Sequence, residues 1–148
     1  MSNLTNKNIL LCVTGGIAAY KAAELVRLLK TSNAFVKVLM TKSAQEFITP
    51  LTMQALSGEK VHTDLLSTEA EAAMGHIELA KWCDLIVIAP CSANSLSKIA
   101  EGRGDDLLSA VCLATESEIF IAPAMNQAMW KLSLIHISEP TRPSTISY

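Results

Sequence analysis

Four short segments of this 148-residue sequence collect small, polar and conformationally permissive residues: Thr14 to Ala18, Thr41 to Ser43, Pro90 to Asn94, and Pro123 to Asn126. Thr14-Gly15-Gly16-Ile17 leads into a helical pattern, and a helix amino terminus offers free N–H groups and a dipole that favour a phosphate. The same glycine pair also suits a plain tight turn from strand to helix, and both uses stay open at this point. Ser92 and Asn94 bring a hydroxyl and a carboxamide to a second helix start, where they can cap the helix, face a ligand, or do both. Asn126 places a carboxamide where it could hold a substrate carboxylate or amide, or serve as a turn residue. His76, in Gly75-His76-Ile77-Glu78-Leu79, has the side chain best suited to acid–base work near neutral pH, although a lone histidine is more often structural. His62 reads as a residue of an exposed edge.

These segments acquire meaning from the elements that precede them. Asn8–Thr14, Phe35–Met40, Asp84–Ala89 and Glu118–Ala122 are short apolar runs of the kind buried on both faces of a parallel sheet. Between them, Ile17–Lys30 interleaves apolar and charged residues at helical spacing. Ser43–Phe47 opens a helical stretch that is interrupted at Pro50, and Leu51–Leu56 continues helically until Gly58. Lys60–Leu66 reads as a short edge strand. Ala70–Trp82 is helical in character with Gly75 as a weak point inside it. Helices also follow at 96–100 and 107–114, with a loop at 102–106. Strands alternating with helices imply an α/β fold: a doubly wound parallel sheet in a three-layer α/β/α arrangement with right-handed crossovers. In such a sheet ligands bind beyond the carboxyl ends of the strands, where the strand order reverses, and the four segments all fall there.

Two absences narrow the ligand. The glycines do not form GxGxxG. Thr41-Lys42, not an acidic residue, ends the second strand, where a dinucleotide enzyme would hold a ribose. Both point to a mononucleotide. A net charge of −2 gives no electrostatic reason to expect nucleic acid or an anionic membrane, and the apolar runs are far too short to span a bilayer. The four cysteines form no CxxC pair and the three histidines show no metal-ligand spacing, so no metal is expected. Cys12 and Cys112 read as small buried hydrophobes, and reduced thiols suit a cytoplasmic location. Met125, Met129 and Trp130 read as packing or interface residues. Periodicity stops after Trp130. Lys131–Tyr148, which contains His136, resembles translated sequencing-adapter DNA, so the domain is expected at residues 1–130 with a non-native tail at 131–148.

Seven collinear strings carry a family resemblance: Thr14-Gly-Gly-Ile-Ala-Ala-Tyr-Lys21, Phe47-Ile-Thr-Pro-Leu51, Ala73-Met-Gly-His-Ile-Glu-Leu79, Trp82-Cys-Asp-Leu85, Ala89-Pro-Cys-Ser-Ala-Asn94, Asp105-Asp-Leu-Leu-Ser109 and Pro123-Ala-Met-Asn126. From about Asn6 to Trp130 the sequence resembles the flavin-containing cysteine decarboxylases. Within them it resembles the phosphopantothenoylcysteine decarboxylase part that opens a bifunctional bacterial coenzyme A biosynthesis flavoprotein. The resemblance implies a Rossmann-like flavoprotein that binds FMN through Gly16, Ile17, Thr41, Phe47, Ser92, Ala93 and Ala124. His76 would be its catalytic histidine and Asn126 would hold the substrate carboxylate. It implies oxidation of the substrate's cysteine thiol to a thioaldehyde-like species, loss of carbon dioxide, and return of the electrons to the enethiolate to give 4′-phosphopantetheine. It also implies trimers or higher oligomers in which His76 faces a neighbour's flavin.

Two departures from the family pattern shape the expectation. No segment corresponds to the family's substrate-covering stretch with its reactive cysteine, and the carboxy-terminal ligase part is absent. Oxidative decarboxylation without the final reduction is therefore the expected outcome for this chain. The competing readings are a flavin prenyltransferase-like protein, a non-catalytic flavin-binding regulatory protein, and a fragment that fails to fold.

Overall fold

In the computed structural model, which describes residues 4–63 and 75–124, the four apolar runs form one parallel sheet. Its strands are β1 (Asn8–Val13), β2 (Phe35–Met40), β3 (Leu85–Cys91) and β4 (Glu118–Pro123), in the order β2-β1-β3-β4. Side-chain alternation along each strand feeds two separate cores. Leu10, Cys12, Leu39, Ile86, Ile88, Ile119 and Ile121 point to one face. Ile9, Leu11, Val13, Val36, Val38, Met40, Ala89 and Ala122 point to the other.

Helices cover both faces, giving the three-layer α/β/α arrangement that the alternation of elements implies. A 3-10 turn (Ile17–Ala19) runs straight into α1 (Tyr20–Thr31), and with α2 (Pro50–Ser57) it packs Ala19, Ala22, Val26, Leu29 and Met53 on the second core. On the opposite face lie α3 (His76–Trp82), α4 (Ala93–Glu101) and α5 (Leu107–Ala114), which contribute Leu79, Ala80, Leu96, Ile99, Leu107, Leu108 and Val111.

Several local expectations change. Pro50 does not interrupt a helix but starts one. Thr49 Oγ1 accepts from Thr52 N–H at 3.2 Å as the N-cap, Pro50 occupies the first turn, and Gly58 closes the helix at φ 81°. The stretch before it is only a 3-10 turn (Ser43–Glu46). Gly75 is likewise not a weak point within a helix. It is extended and precedes the first residue of α3, while residues 70–74 of that expected helix lie outside the described residues. β3 runs on through Pro90 to Cys91, and α4 begins earlier than expected because Ser92 caps it.

His62 adds a single parallel bridge outside β2. Its N–H donates to the Val38 carbonyl, and its own carbonyl accepts from Met40 N–H, both at 2.9 Å. It therefore sits at the sheet edge but is half-buried, and residues 64–66 of the expected edge strand lie outside the described residues. No helix among the described residues is long and apolar enough to cross a membrane.

Candidate functional site

The chain leaves β1 for β2 on one side and reaches β3 and β4 on the other, so strand order reverses between β1 and β3. That reversal opens a crevice beyond their carboxyl ends. Backbone pairing between β1 and β3 stops at Cys12 and Ile88. Beyond it the two strand ends are joined through Thr14. Its N–H and its hydroxyl both donate to the Pro90 carbonyl, at 3.3 and 2.5 Å, and its Oγ1 accepts from Ser92 N–H at 2.9 Å. The Thr14 side chain is wholly buried.

The other loops attach around this point. Thr41 N–H donates to the Val13 carbonyl at 3.0 Å, and Ala124 N–H donates to the Cys91 carbonyl at 3.1 Å. Thr41 Oγ1 accepts from Ala44 N–H at 3.3 Å and so ties the end of β2 to the short turn that leads to Phe47. Ser92 Oγ accepts from Ser95 N–H at 3.2 Å and caps α4. Gly15 lies against Ser43 so closely that an added Cβ would stand 2.6 Å from Ser43 Oγ. At Gly16 the opposite holds, because a Cβ there would meet nothing within 4 Å. The start of the helical run from Ile17 therefore faces open space, and Ile17 itself is 82% exposed.

The structure thus brings Gly16, Ile17, Thr41, Ser92, Ala93 and Ala124 to one end of the sheet. Phe47, half exposed, stands at the end of the turn after β2. His76 is half-buried in the first turn of α3, and among the described residues no hydrogen bond or ion pair ties it to these loops. Asn126 lies outside the described residues, as do Met125, Met129, Trp130 and His136. Sequence reasoning does not single out Thr14, Gly15 and Ser43 as individual site residues. A hydroxyl at the end of an apolar run, followed by Gly-Gly, is the available signal for the first two.

Lys98, Asp105 and Asp106 form ion pairs near this end. Lys98 Nζ lies 3.4 Å from Asp106 Oδ2 and 3.8 Å from Asp105 Oδ1, beside a cleft of about 350 Å³ that also touches Thr41, Lys42 and Thr63. Burial alone would raise the Asp106 carboxyl. Hydrogen bonds from the Ser109 side chain and backbone, with the Lys98 ammonium, outweigh that effect and hold it below the usual carboxylate value. The cysteines are not poised for chemistry. All four are buried free thiols, and burial, with a smaller contribution from Cys112, pushes Cys91 up to about 12. No group of acidic, histidine or cysteine side chains among the described residues could hold a metal ion.

A parallel α/β sheet with open space over a glycine at a helix start and small polar loops at the switch point has the form of a phosphate-accepting α/β domain. The comparisons sharpen that class: residues 1–137 match the family described as Flavoprotein, and the chain belongs to it. It is 55% identical over 131 residues to the coenzyme A biosynthesis bifunctional protein CoaBC of Haemophilus influenzae, covering 88% of this chain and 33% of that protein. The chain spans about a third of the length of the curated relatives it matches. Among solved structures, the FMN-dependent cysteine decarboxylase SpaF superposes with a TM-score of 0.87 at 28% identity, covering 97% of this chain and 85% of that one. A PPC decarboxylase mutant complexed with pantothenoylaminoethenethiol gives 0.76 at 32% identity, with 95% and 81% covered.

Proposed function

We propose that this chain binds FMN at the β1/β3 switch point and decarboxylates 4′-phospho-N-pantothenoyl-L-cysteine on the way to 4′-phosphopantetheine. The observation that supports it best is the open helix start over Gly16 beside the small polar ends of β2 and β3, in a chain 55% identical to CoaBC. The Gly16–Ile17 amides would receive the phosphate, where N–H groups and helix dipole both favour an anion. Thr41, Phe47, Ser92, Ala93 and Ala124 would line the rest of the cofactor. When bound, the flavin supplies a two-electron acceptor and donor.

His76 acts as the acid–base group toward the substrate, and Asn126 holds the carboxylate that is lost. Removal of two electrons and two protons from the CH2–SH group yields a thioaldehyde. The C–CO2⁻ bond then breaks, with its electron pair drawn toward sulfur as an enethiolate. Return of the two electrons and protons completes the aminoethanethiol end of 4′-phosphopantetheine.

Ile17, Tyr20, Phe47 and Leu51 are exposed on elements that follow β1 and β2, which supports self-association as a trimer or higher oligomer. We place the FMN-binding domain within residues 1–130, leave 131–148 outside it, and assign the protein to the cytoplasm. The test is to purify the chain, record its visible spectrum and sedimentation, and incubate it with the cysteinyl substrate while following carbon dioxide and product mass. Flavin bands, an oligomer and carbon dioxide release that is lost in His76→Asn are the expected results. A flavin-bound chain that leaves the substrate intact would overturn the decarboxylase reading, and a folded chain that takes up no flavin would overturn the cofactor reading.

A further inference from the structure

We infer that Thr14 is a positioning residue whose buried hydroxyl clamps the loops after β1 and β3 at the separation that the cofactor requires. The inference rests on the FMN reading for what occupies the crevice, but not for the clamp itself. The ladder between β1 and β3 runs to Cys12 and Ile88, and beyond it the backbone bond that joins the two strand ends runs from Thr14 N–H to the Pro90 carbonyl at 3.3 Å. That bond stops at Pro90, and the loops at Gly15–Gly16 and Ser92–Ala93 diverge beyond it. The Thr14 side chain extends the connection to Ser92. Thr14 Oγ1 donates to the Pro90 carbonyl at 2.5 Å and accepts from Ser92 N–H at 2.9 Å, so a single hydroxyl uses its proton on the end of β3 and a lone pair on the first residue of the loop beyond it.

The geometry carries through to the helix behind. Ser92, held through its N–H, caps α4 through its Oγ, so the clamp also fixes where α4 begins. Thr14 is followed directly by Gly15, which packs against Ser43, so the β2 loop is set against the same point. With no accessible surface, Thr14 cannot touch a ligand and acts only through these neighbours. Loss of the hydroxyl with the shape kept leaves the part-buried Ser92 N–H without its partner and the Pro90 carbonyl with only the Thr14 N–H, so the loop at Ser92 parts from Thr14 to reach water.

The experiment compares the full chain with Thr14→Val, which keeps the shape, and Thr14→Ser, which keeps the hydroxyl. Each is held well below its unfolding temperature. FMN affinity is read by quenching of flavin fluorescence, and exchange of the Ser92 amide proton is read by NMR on the flavin-free chain. Thr14→Val should weaken FMN binding at least tenfold and speed Ser92 amide exchange at least tenfold, while Thr14→Ser stays within about threefold in both. If Thr14→Val does not fold, Thr14→Ala is read in its place.

Unchanged Ser92 exchange in the hydroxyl-free variant overturns the clamp, whether or not flavin binds. Faster exchange with unchanged FMN affinity overturns its positioning role and leaves a purely structural one. Wild-type chain that takes up no FMN, with exchange behaving as expected, overturns the cofactor reading and leaves the clamp standing.

Discussion

Gly15→Ala should destabilise the fold through one identifiable collision. The new Cβ would lie 2.6 Å from Ser43 Oγ, 2.8 Å from Ser43 Cβ and 3.2 Å from the Ser43 carbonyl carbon. The hydroxyl can rotate away, but the Cβ and the backbone cannot. Carbon pairs prefer separations of about 3.5–4.0 Å, so the loop after β2 has to retreat by roughly 1 Å. That loop is tethered close by, since Thr41 N–H donates to the Val13 carbonyl at 3.0 Å. Overpacking of this kind costs about 1–3 kcal/mol, and we take about 2. For a chain of this length that corresponds to a melting temperature lower by about 6 °C.

The assay is a double-mutant cycle in urea or by calorimetry. Ser43→Gly alone should cost up to about 1 kcal/mol through the added freedom of the unfolded chain. It also removes the two closest atoms and leaves only the contact at 3.2 Å. Gly15→Ala combined with Ser43→Gly should therefore recover at least about 1 kcal/mol relative to the sum of the single changes. Additivity within about 0.5 kcal/mol would refute the packing argument, as would an unchanged melting temperature in Gly15→Ala.

Three further outcomes follow from single groups. Asp106→Ala should cost about 1 kcal/mol, because Asp106 Oδ1 accepts from Ser109 N–H at 2.8 Å as the N-cap of α5. The Asp106 carboxyl is held below its unfolded value, so the advantage over Asp106→Asn should be complete above pH ~4 and disappear as pH falls through the lower folded value. A gap in urea stability that ignores pH would contradict this. His62 is held below its ordinary value by burial first and then by Lys37, with Lys60 adding to it and Glu59 opposing. Wild type should therefore lose stability relative to His62→Gln as pH drops below ~6.5, and an NMR titration of the ring with its midpoint at or above that value would count against it. The four thiols are buried, and burial raises Cys12, Cys83 and Cys91. The folded chain should release no rapid colour with a disulfide reagent at pH 8 until it is unfolded, and prompt labelling of even one thiol would be inconsistent with that packing.

The sheet is legible because burial on both faces writes itself into sequence. NILLCV, FVKVLM and the run through Ile88 have no consistently polar side, and every one forms a strand. Two of the local errors share one cause. Sequence reasoning weighs Pro50 and Gly75 by their intrinsic effect on a helix interior, whereas each stands at a helix start, where Thr49 supplies a cap and an extended glycine costs nothing. Residue type alone cannot say on which side of a boundary a breaker lies.

The site divides in the same way. The loops that could meet a ligand are visible because each follows a strand and is built of small polar residues. The contacts that set their spacing are not, because Thr14 meets Ser92 and Gly15 meets Ser43 only once the order β2-β1-β3-β4 places those strand ends side by side. Seventy-eight residues separate Thr14 from Ser92, and no local pattern encodes that distance. The residues that would touch a cofactor are thus marked by their chemistry. Those that hold them apart, a buried hydroxyl and a glycine without room for a methyl group, are marked only by topology, and that is where substitutions separate binding from folding most cleanly.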